Sequence, residues 1–308
     1  MNSMPTEDDY VAYSPIVDRP PVRWPNGHRV ALWVSPNLEH YEYLPAPSVA
    51  DAWARSPHPD VMMYGYRDFG NRVAFWRMLE VFDAHDVRAT VSLNVAVLEH
   101  YPEIRDAMIA RDWEYMSHGV YNTRPLFGMG VDEERAFYRY TANMIQRHTG
   151  KTLKGMLGPA FSATPNTPWL MAEAGLTYQV DWFIDDQPFP ISVDTGRLCG
   201  VPYSRLLNDS LVFLFGAQEG EDFVQMCKDQ FDVLYEEGAT SGRVMCLALH
   251  PYLIGQAHRI KYLDEVLAYI LSHEGVWATT ADEIADWYLA HHHDEHLRHS
   301  RDIAPRPH

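Results

Sequence analysis

Val244-Met-Cys-Leu-Ala-Leu249, followed at once by His250-Pro-Tyr252, is the stretch that decides the fold. Six consecutive residues carry almost no polar side-chain atoms, the pattern of a strand covered on both faces. Strands of that kind belong to parallel sheets flanked by helices. Helical patterns stand on either side of it, at residues 221–237 before Gly238 and at 259–273. Beyond the second lie a strand at 276–279 and a closing helix at 281–290.

The same alternation runs back towards the N-terminus. Arg29-Val-Ala-Leu-Trp-Val34 reads as a buried strand, and residues 71–85 as a helix with Val73, Phe75, Trp76, Leu79 and Phe82 at helical spacing behind an Asn71 N-cap. Strands are expected at 88–93, 113–117, 153–157, 177–181 and 210–215. Helices are expected at 102–111, 132–149 (stopped by Gly150) and 168–174 (stopped by Gly175). Residues 41–70 read as a long loop. Repeated strand–helix units without a break in composition imply one α/β domain, a parallel barrel or sheet. Residues 1–26, rich in proline, read as an extended arm, 27–290 as the α/β domain, and 291–308 as a polar, histidine-rich, aperiodic tail.

Charge and cysteine content narrow the function classes. Forty-two acidic against twenty-five basic side chains give a net charge of −17, which repels nucleic acid and anionic membranes, so neither is an expected partner. No apolar run is long enough to span a bilayer, and the first residues have no secretory pattern. Cys199, Cys227 and Cys246 form no CxxC pair. These features lead to the expectation of a cytoplasmic protein with reduced thiols. No GxxxxGK[ST] or GxGxxG loop occurs, so no nucleotide cofactor is implied.

In parallel α/β architectures ligands sit at the carboxyl ends of the strands. The candidate site residues that follow the strands are Asn37, Glu39 and His40; His118, Tyr121 and Asn122; Pro159 and Phe161 in Gly158-Pro-Ala-Phe161; Asp181, Trp182, Asp185 and Asp186; and His250. A lone histidine after a strand is ordinarily a satisfied loop residue, and Asp185-Asp186 also suits a turn. Two histidines and several acids on one rim, however, form the set that hydrolytic acid–base chemistry needs.

These residues resemble those of the polysaccharide-deacetylase superfamily (carbohydrate esterase family 4, NodB type), and most closely its bacterial allantoinase-like members. The resemblance rests on Trp24-Pro-Asn-Gly27, on Arg29-Val-Ala-Leu with Asn37-x-Glu39, and on Phe69-Gly-Asn-Arg-Val-x-Phe-Trp76. It also rests on Ser117-His118-Gly119, Thr164-Pro-Asn-Thr167, and Leu249-His250 with Leu253-Ile-Gly255. It implies a single-domain, distorted (β/α) barrel and a homo-oligomer, with the arm and the 41–70 loop as candidate contact elements.

The departures from the deacetylase pattern point to a different substrate. Deacetylases carry aspartates in the first motif as base and metal ligand, where this chain has Ser35-Pro-Asn-Leu-Glu39. Their second motif has two histidines four apart, where this chain has His118 and Asn122. The arginine of their third motif is missing from Leu157-Gly-Pro-Ala-Phe161. An amide oxygen is a poor zinc ligand, and catalytic zinc usually takes three protein ligands. The expectation is therefore no cofactor, with zinc through Glu39, His118 and Asn122 as the alternative. Without a Lewis acid an unactivated acetamide is a hard substrate, whereas imides, hydantoins and ureides have more reactive carbonyls. The expected activity is ring-opening hydrolysis of a small cyclic amide, imide or ureide, a C–N bond hydrolase of the EC 3.5 type. Glu39, His118 and His250 would share acid and base roles; Asn37, Tyr121, Asn122, Pro159, Phe161, Trp182, Asp185 and Asp186 would bind substrate. The alternatives are a metal-dependent amidase or carbohydrate deacetylase, and an inactive ligand-binding relative.

Overall fold

A computed structural model of the chain describes residues 10–46 and 59–303. Nine strands are present among them: β1 (Val30–Leu38), β2 (Thr90–Leu93), β3 (Glu114–Ser117), β4 (Gly155–Met156), β5 (Tyr178–Gln179), β6 (Phe189–Ile191), β7 (Leu198–Gly200), β8 (Arg243–Leu249) and β9 (Val276–Thr279). They form one sheet in the order β6-β7-β5-β4-β3-β2-β1-β8, with β9 also paired to β1. Every pairing is parallel except β6 with β7. The sheet curls into an incompletely closed barrel of NodB type. Irregular chain crosses the gap beside β8, where Asn208 bridges to Ala248 and the Asp186 carbonyl accepts the Val244 N–H.

The principal helices are α1 (Val61–Phe69), α2 (Phe75–Ala84), α3 (Pro102–Ala110), α4 (Val131–Thr149), α5 (Thr167–Glu173), α6 (Gly220–Glu237), α7 (Ile260–Leu271), α8 (Ala281–His291) and α9 (His293–Ile303). Local signals set several of their ends. Gly150 takes a left-handed φ of 75° after α4, a conformation that costs glycine little. The Glu219 side chain accepts from the Asp222 N–H and the Asp222 side chain from the Glu219 N–H, a capping box that opens α6.

Side-chain alternation along the strands positions the site. In β1, Ala31 and Trp33 belong to the inner core, whereas Val30, Leu32 and Val34 pack in the layer between sheet and helices. In β8, Val244, Cys246 and Ala248 are inner and Met245, Leu247 and Leu249 outer. The register sets Trp33 beside Cys246 and Ser35 beside Ala248. Continued two residues at a time, the inner rows end on Asn37 and Glu39 from β1 and on His250 from β8. Met116 of β3 is likewise inner and leads to His118.

Four expectations need correction. Residues 210–215 are a wide helical turn, Leu211–Phe215, not a strand. A short apolar run suits either state, and here the Asn208 side chain caps the turn by accepting the Ser210 N–H at 3.0 Å. The 41–70 stretch contains α1, whose first turn is capped by Asp60; residues 47–58 lie outside the described region. Asn71 is no N-cap, because it lies inside a continuous helical run and its side chain donates to the Glu39 carbonyl at 2.9 Å. The tail is not aperiodic chain: 293–303 form α9, with His293 and His296 buried. The short strands β6 and β7 carry too few residues to show alternation in sequence. Among the described residues no helix is long and apolar enough to cross a membrane.

Candidate active site

Glu39, His118 and His250 meet at the carboxyl end of the barrel, and all three are buried. Glu39 Oε1 lies 3.4 Å from His118 Nε2 and 3.7 Å from His250 Nε2. Both separations are longer than a full-strength hydrogen bond. The other nitrogen of each ring is fixed. His118 Nδ1 lies 2.9 Å from the Leu157 carbonyl, an acceptor, so Nδ1 carries a proton and Nε2 faces Glu39. His250 Nδ1 donates to Asp209 Oδ1 at 2.7 Å, while Asp209 Oδ2 accepts the His250 N–H at 2.8 Å. Asp209 is fully buried.

The electrostatics separate the roles. Burial opposes charge on His250, but the field and hydrogen bond of Asp209, helped by Glu39, outweigh it and raise its pKa. Burial also pushes Glu39 up, yet its contact with the His118 ring, the charge of His250 and the Tyr41 hydroxyl together hold it below its ordinary value. That hydroxyl donates to Glu39 Oε2 at 2.9 Å and accepts from the Asn122 amide. Asp181, half-buried near His118, has its pKa raised to about 6 by desolvation, although the Gly158 N–H and the Gln179 amide both donate to it.

Supporting contacts fix these groups. Asn94 accepts the His40 N–H at 2.9 Å and donates to the His118 carbonyl, tying β1, β2 and β3 together at the mouth. Asn37 donates to the Tyr203 hydroxyl at 2.9 Å and to the Leu249 carbonyl at 3.2 Å. Gly119, with φ +79°, lies so close to Pro159 that a Cβ there would stand 2.5 Å from the proline ring. The turn after His118 therefore requires glycine.

The remaining expected substrate residues divide. Tyr121 and Asn122 flank the mouth, and the Oδ1 of Asn122 is buried without a partner among the described residues. Pro159 packs beneath Gly119. Phe161 is at the rim with a left-handed φ of 55°, against Phe183, which in turn approaches Tyr203. Strained non-glycine residues of this kind gather at functional sites.

Trp182, Asp185 and Asp186 do not belong to the site. Trp182 donates to Gln179 and its ring faces Tyr10 of the arm, leaving Phe183 as the aromatic nearer the mouth. Asp185 forms a buried ion pair with Arg19 at 2.7 Å, and Asp186 is exposed near the start of β8. The chain turns away from the rim directly after Asp181, so the acid at the strand end is the inward one. Asp209, Tyr41, Arg67 and Tyr203 were not legible as site residues, since they come from irregular chain or from α1, which the strand-end rule does not reach.

No group of three or more His, Cys, Asp or Glu side chains among the described residues is arranged to hold an ion. Asn122 stands where a second imidazole would be needed, and its amide nitrogen is bonded to Tyr41.

Known proteins share this architecture. The polysaccharide deacetylase family model matches residues 57–179. A Schizosaccharomyces pombe protein named "Putative polysaccharide deacetylase" is 28% identical over 242 residues, covering 73% of this chain and 75% of that protein. The PuuE allantoinase structure superposes with a TM-score of 0.78 at 29% identity, over 89% of this chain and 95% of that one. A probable polysaccharide deacetylase from Pseudomonas aeruginosa PAO1 gives 0.77 at 29%, over the same shares. The chain has the fold of NodB-type polysaccharide deacetylases, and its residues 57–179 match that family's model. Its likeness to an allantoinase and to a deacetylase is equal, so substrate choice has to be argued from the site.

Proposed function

We propose that the protein opens a small cyclic amide, imide or ureide ring by hydrolysis of a C–N bond, using acid–base chemistry without a metal. The observation that carries this reading is the convergence of His118 Nε2 and His250 Nε2 on one oxygen of Glu39, with both Nδ1 atoms fixed from behind. A water donating to Glu39 Oε1 and His118 Nε2 would lie between two acceptors, which raises its nucleophilicity as it attacks the carbonyl. His250, kept protonated by Asp209, gives its Nε2 proton to the departing ring nitrogen. Asn37, Asn122 and the rim around Phe161 hold the ring.

The equal likeness to a polysaccharide deacetylase supports a second reading, removal of an acetyl group from an amino sugar. One screen separates the two. The purified protein, with and without EDTA, is assayed against hydantoins, cyclic imides, allantoin and N-acetylglucosamine oligomers. Ring opening that survives EDTA supports the first reading; acetate release that EDTA abolishes rejects it.

A further inference from the structure

Arg67 projects from α1 into the cleft beside Glu39 and, among the described residues, stacks on Tyr41 without a hydrogen-bond or ion-pair partner. Its guanidinium carbon lies 3.7 Å from the centroid of the Tyr41 ring, the same tyrosine whose hydroxyl donates to Glu39. Glu39, Tyr41, Arg67 and Asn71 line one cleft. Among the described residues Arg67 makes no hydrogen bond or ion pair, and its Nε is buried and unsatisfied.

Its neighbours behave differently. Arg72, one turn along, pairs with Asp68, and Arg124 across the mouth pairs with Glu42. Glu39 and Asp60 lie within the electrostatic field of Arg67 but neither pairs with it. Taking a guanidinium out of water without an acceptor is costly. A stacked, planar cation with free N–H groups is matched best by two coplanar anionic oxygens, because the fork can then donate twice in parallel.

Position separates this group from the reacting centre. The cleft beside Arg67 is lined by Glu39 but by neither His118 nor His250. An anion seated there would lie to one side of the bond being cut.

We infer that Arg67 determines substrate specificity by binding a carboxylate carried on the ligand beside the scissile amide. The inference rests on the proposed active site and narrows its substrate class to ring compounds with a pendant acid. Repulsion between that acid and Glu39 is offset by Arg67 and by His250, and the second carboxylate lining the cleft, Asp68, is already held by Arg72 and the Tyr101 hydroxyl.

The test is calorimetric titration of the wild-type protein and of Arg67→Gln with two probes, hydantoin-5-acetate and the isosteric, uncharged hydantoin-5-acetamide. The wild type should bind the carboxylate about 10–100-fold more tightly, the range for hydrogen bonds to charged groups. Arg67→Gln should erase that preference and leave acetamide affinity within about twofold. Equal affinities in the wild type, no binding of either probe, or a preference that survives the substitution would each overturn the inference. If Arg67→Gln melts at a much lower temperature, Arg67→Lys serves instead; it keeps the charge but loses the fork, and should retain only part of the preference. Ring opening of both probes is followed separately. A carboxylate preference without turnover would leave the anchor standing and sink the hydrolase reading.

Discussion

Two groups of buried histidines sit in this molecule, and their ring nitrogens are used in opposite ways. At the barrel mouth, His118 and His250 each fix Nδ1 and leave Nε2 facing a carboxylate at more than hydrogen-bond length. Where the arm meets α9, His296 is bonded on both sides: Nδ1 accepts from the Tyr288 hydroxyl at 3.1 Å and Nε2 donates to the Pro20 carbonyl at 2.9 Å. His292 meets the backbone of Arg23 through Nε2. The pKa shifts follow the partners. His250, beside Asp209, moves up; His292 and His296, desolvated by burial and lying near arginines and other histidines, move down, His296 to about 4. Burial alone therefore does not mark a catalytic histidine. One nitrogen fixed and the other left facing a carboxylate does.

The largest expected effect tests the arm side. Asp185→Ala leaves Arg19 buried and unpaired, and breaking a buried ion pair typically costs about 3–5 kcal/mol. Denaturant unfolding should show that loss while kcat/KM on an accepted substrate is unchanged; a large fall in kcat/KM would return Asp185 to the active site.

At the mouth the pattern should invert. His250→Ala is expected to lower kcat/KM by about 10²-fold or more, the usual range for a general acid or base, with a small change in Tm. Wild-type turnover would remove His250 from the mechanism. Asp209→Asn should act through pH. A general acid works only while protonated, so activity falls as pH rises through the raised pKa of His250. Without the Asp209 charge that alkaline limb should move to lower pH, whereas a merely structural role for Asp209 would reduce the rate at every pH alike.

A smaller effect is expected from the depressed histidines. The unfolded chain takes up protons below about pH 6.5, but folded His292 and His296 resist them. Their contribution to stability is therefore present above that pH and is lost as pH falls towards the folded pKa, about 4 for His296. His296→Gln should melt lower at pH 7.5, by about 1–3 kcal/mol for the hydrogen bonds left unmade. It should also show a shallower loss of Tm between pH 6.5 and 4. A slope equal to the wild type would exclude His296 as a source of the acid sensitivity. The smallest expected change is none: dialysis against EDTA should leave turnover intact, and restoration of activity by added zinc would favour the deacetylase reading.

Legibility in the sequence follows from how local each signal is. Glu39, His118 and His250 could be read because strand alternation is written in adjacent residues and their rows end where the apolar pattern stops. Asp185 and Asp186 were misplaced because a strand end is visible while the direction in which the chain leaves it is not. Asp209 was hidden by the apolar run beside it, and Arg67 by a stretch with no clear periodicity.

The sequence by itself determined the parallel α/β class, the strand ends that face the mouth and the identity of three convergent groups. These depend on hydrophobic patterning, which every short segment carries. Only the tertiary structure decided which ring nitrogens are fixed, that Asp209 stands behind His250, that Arg67 has no ion-pair partner among the described residues, and that the histidine-rich tail folds as a helix against the arm. Each of those depends on partners brought together from distant parts of the chain, and no local pattern records them.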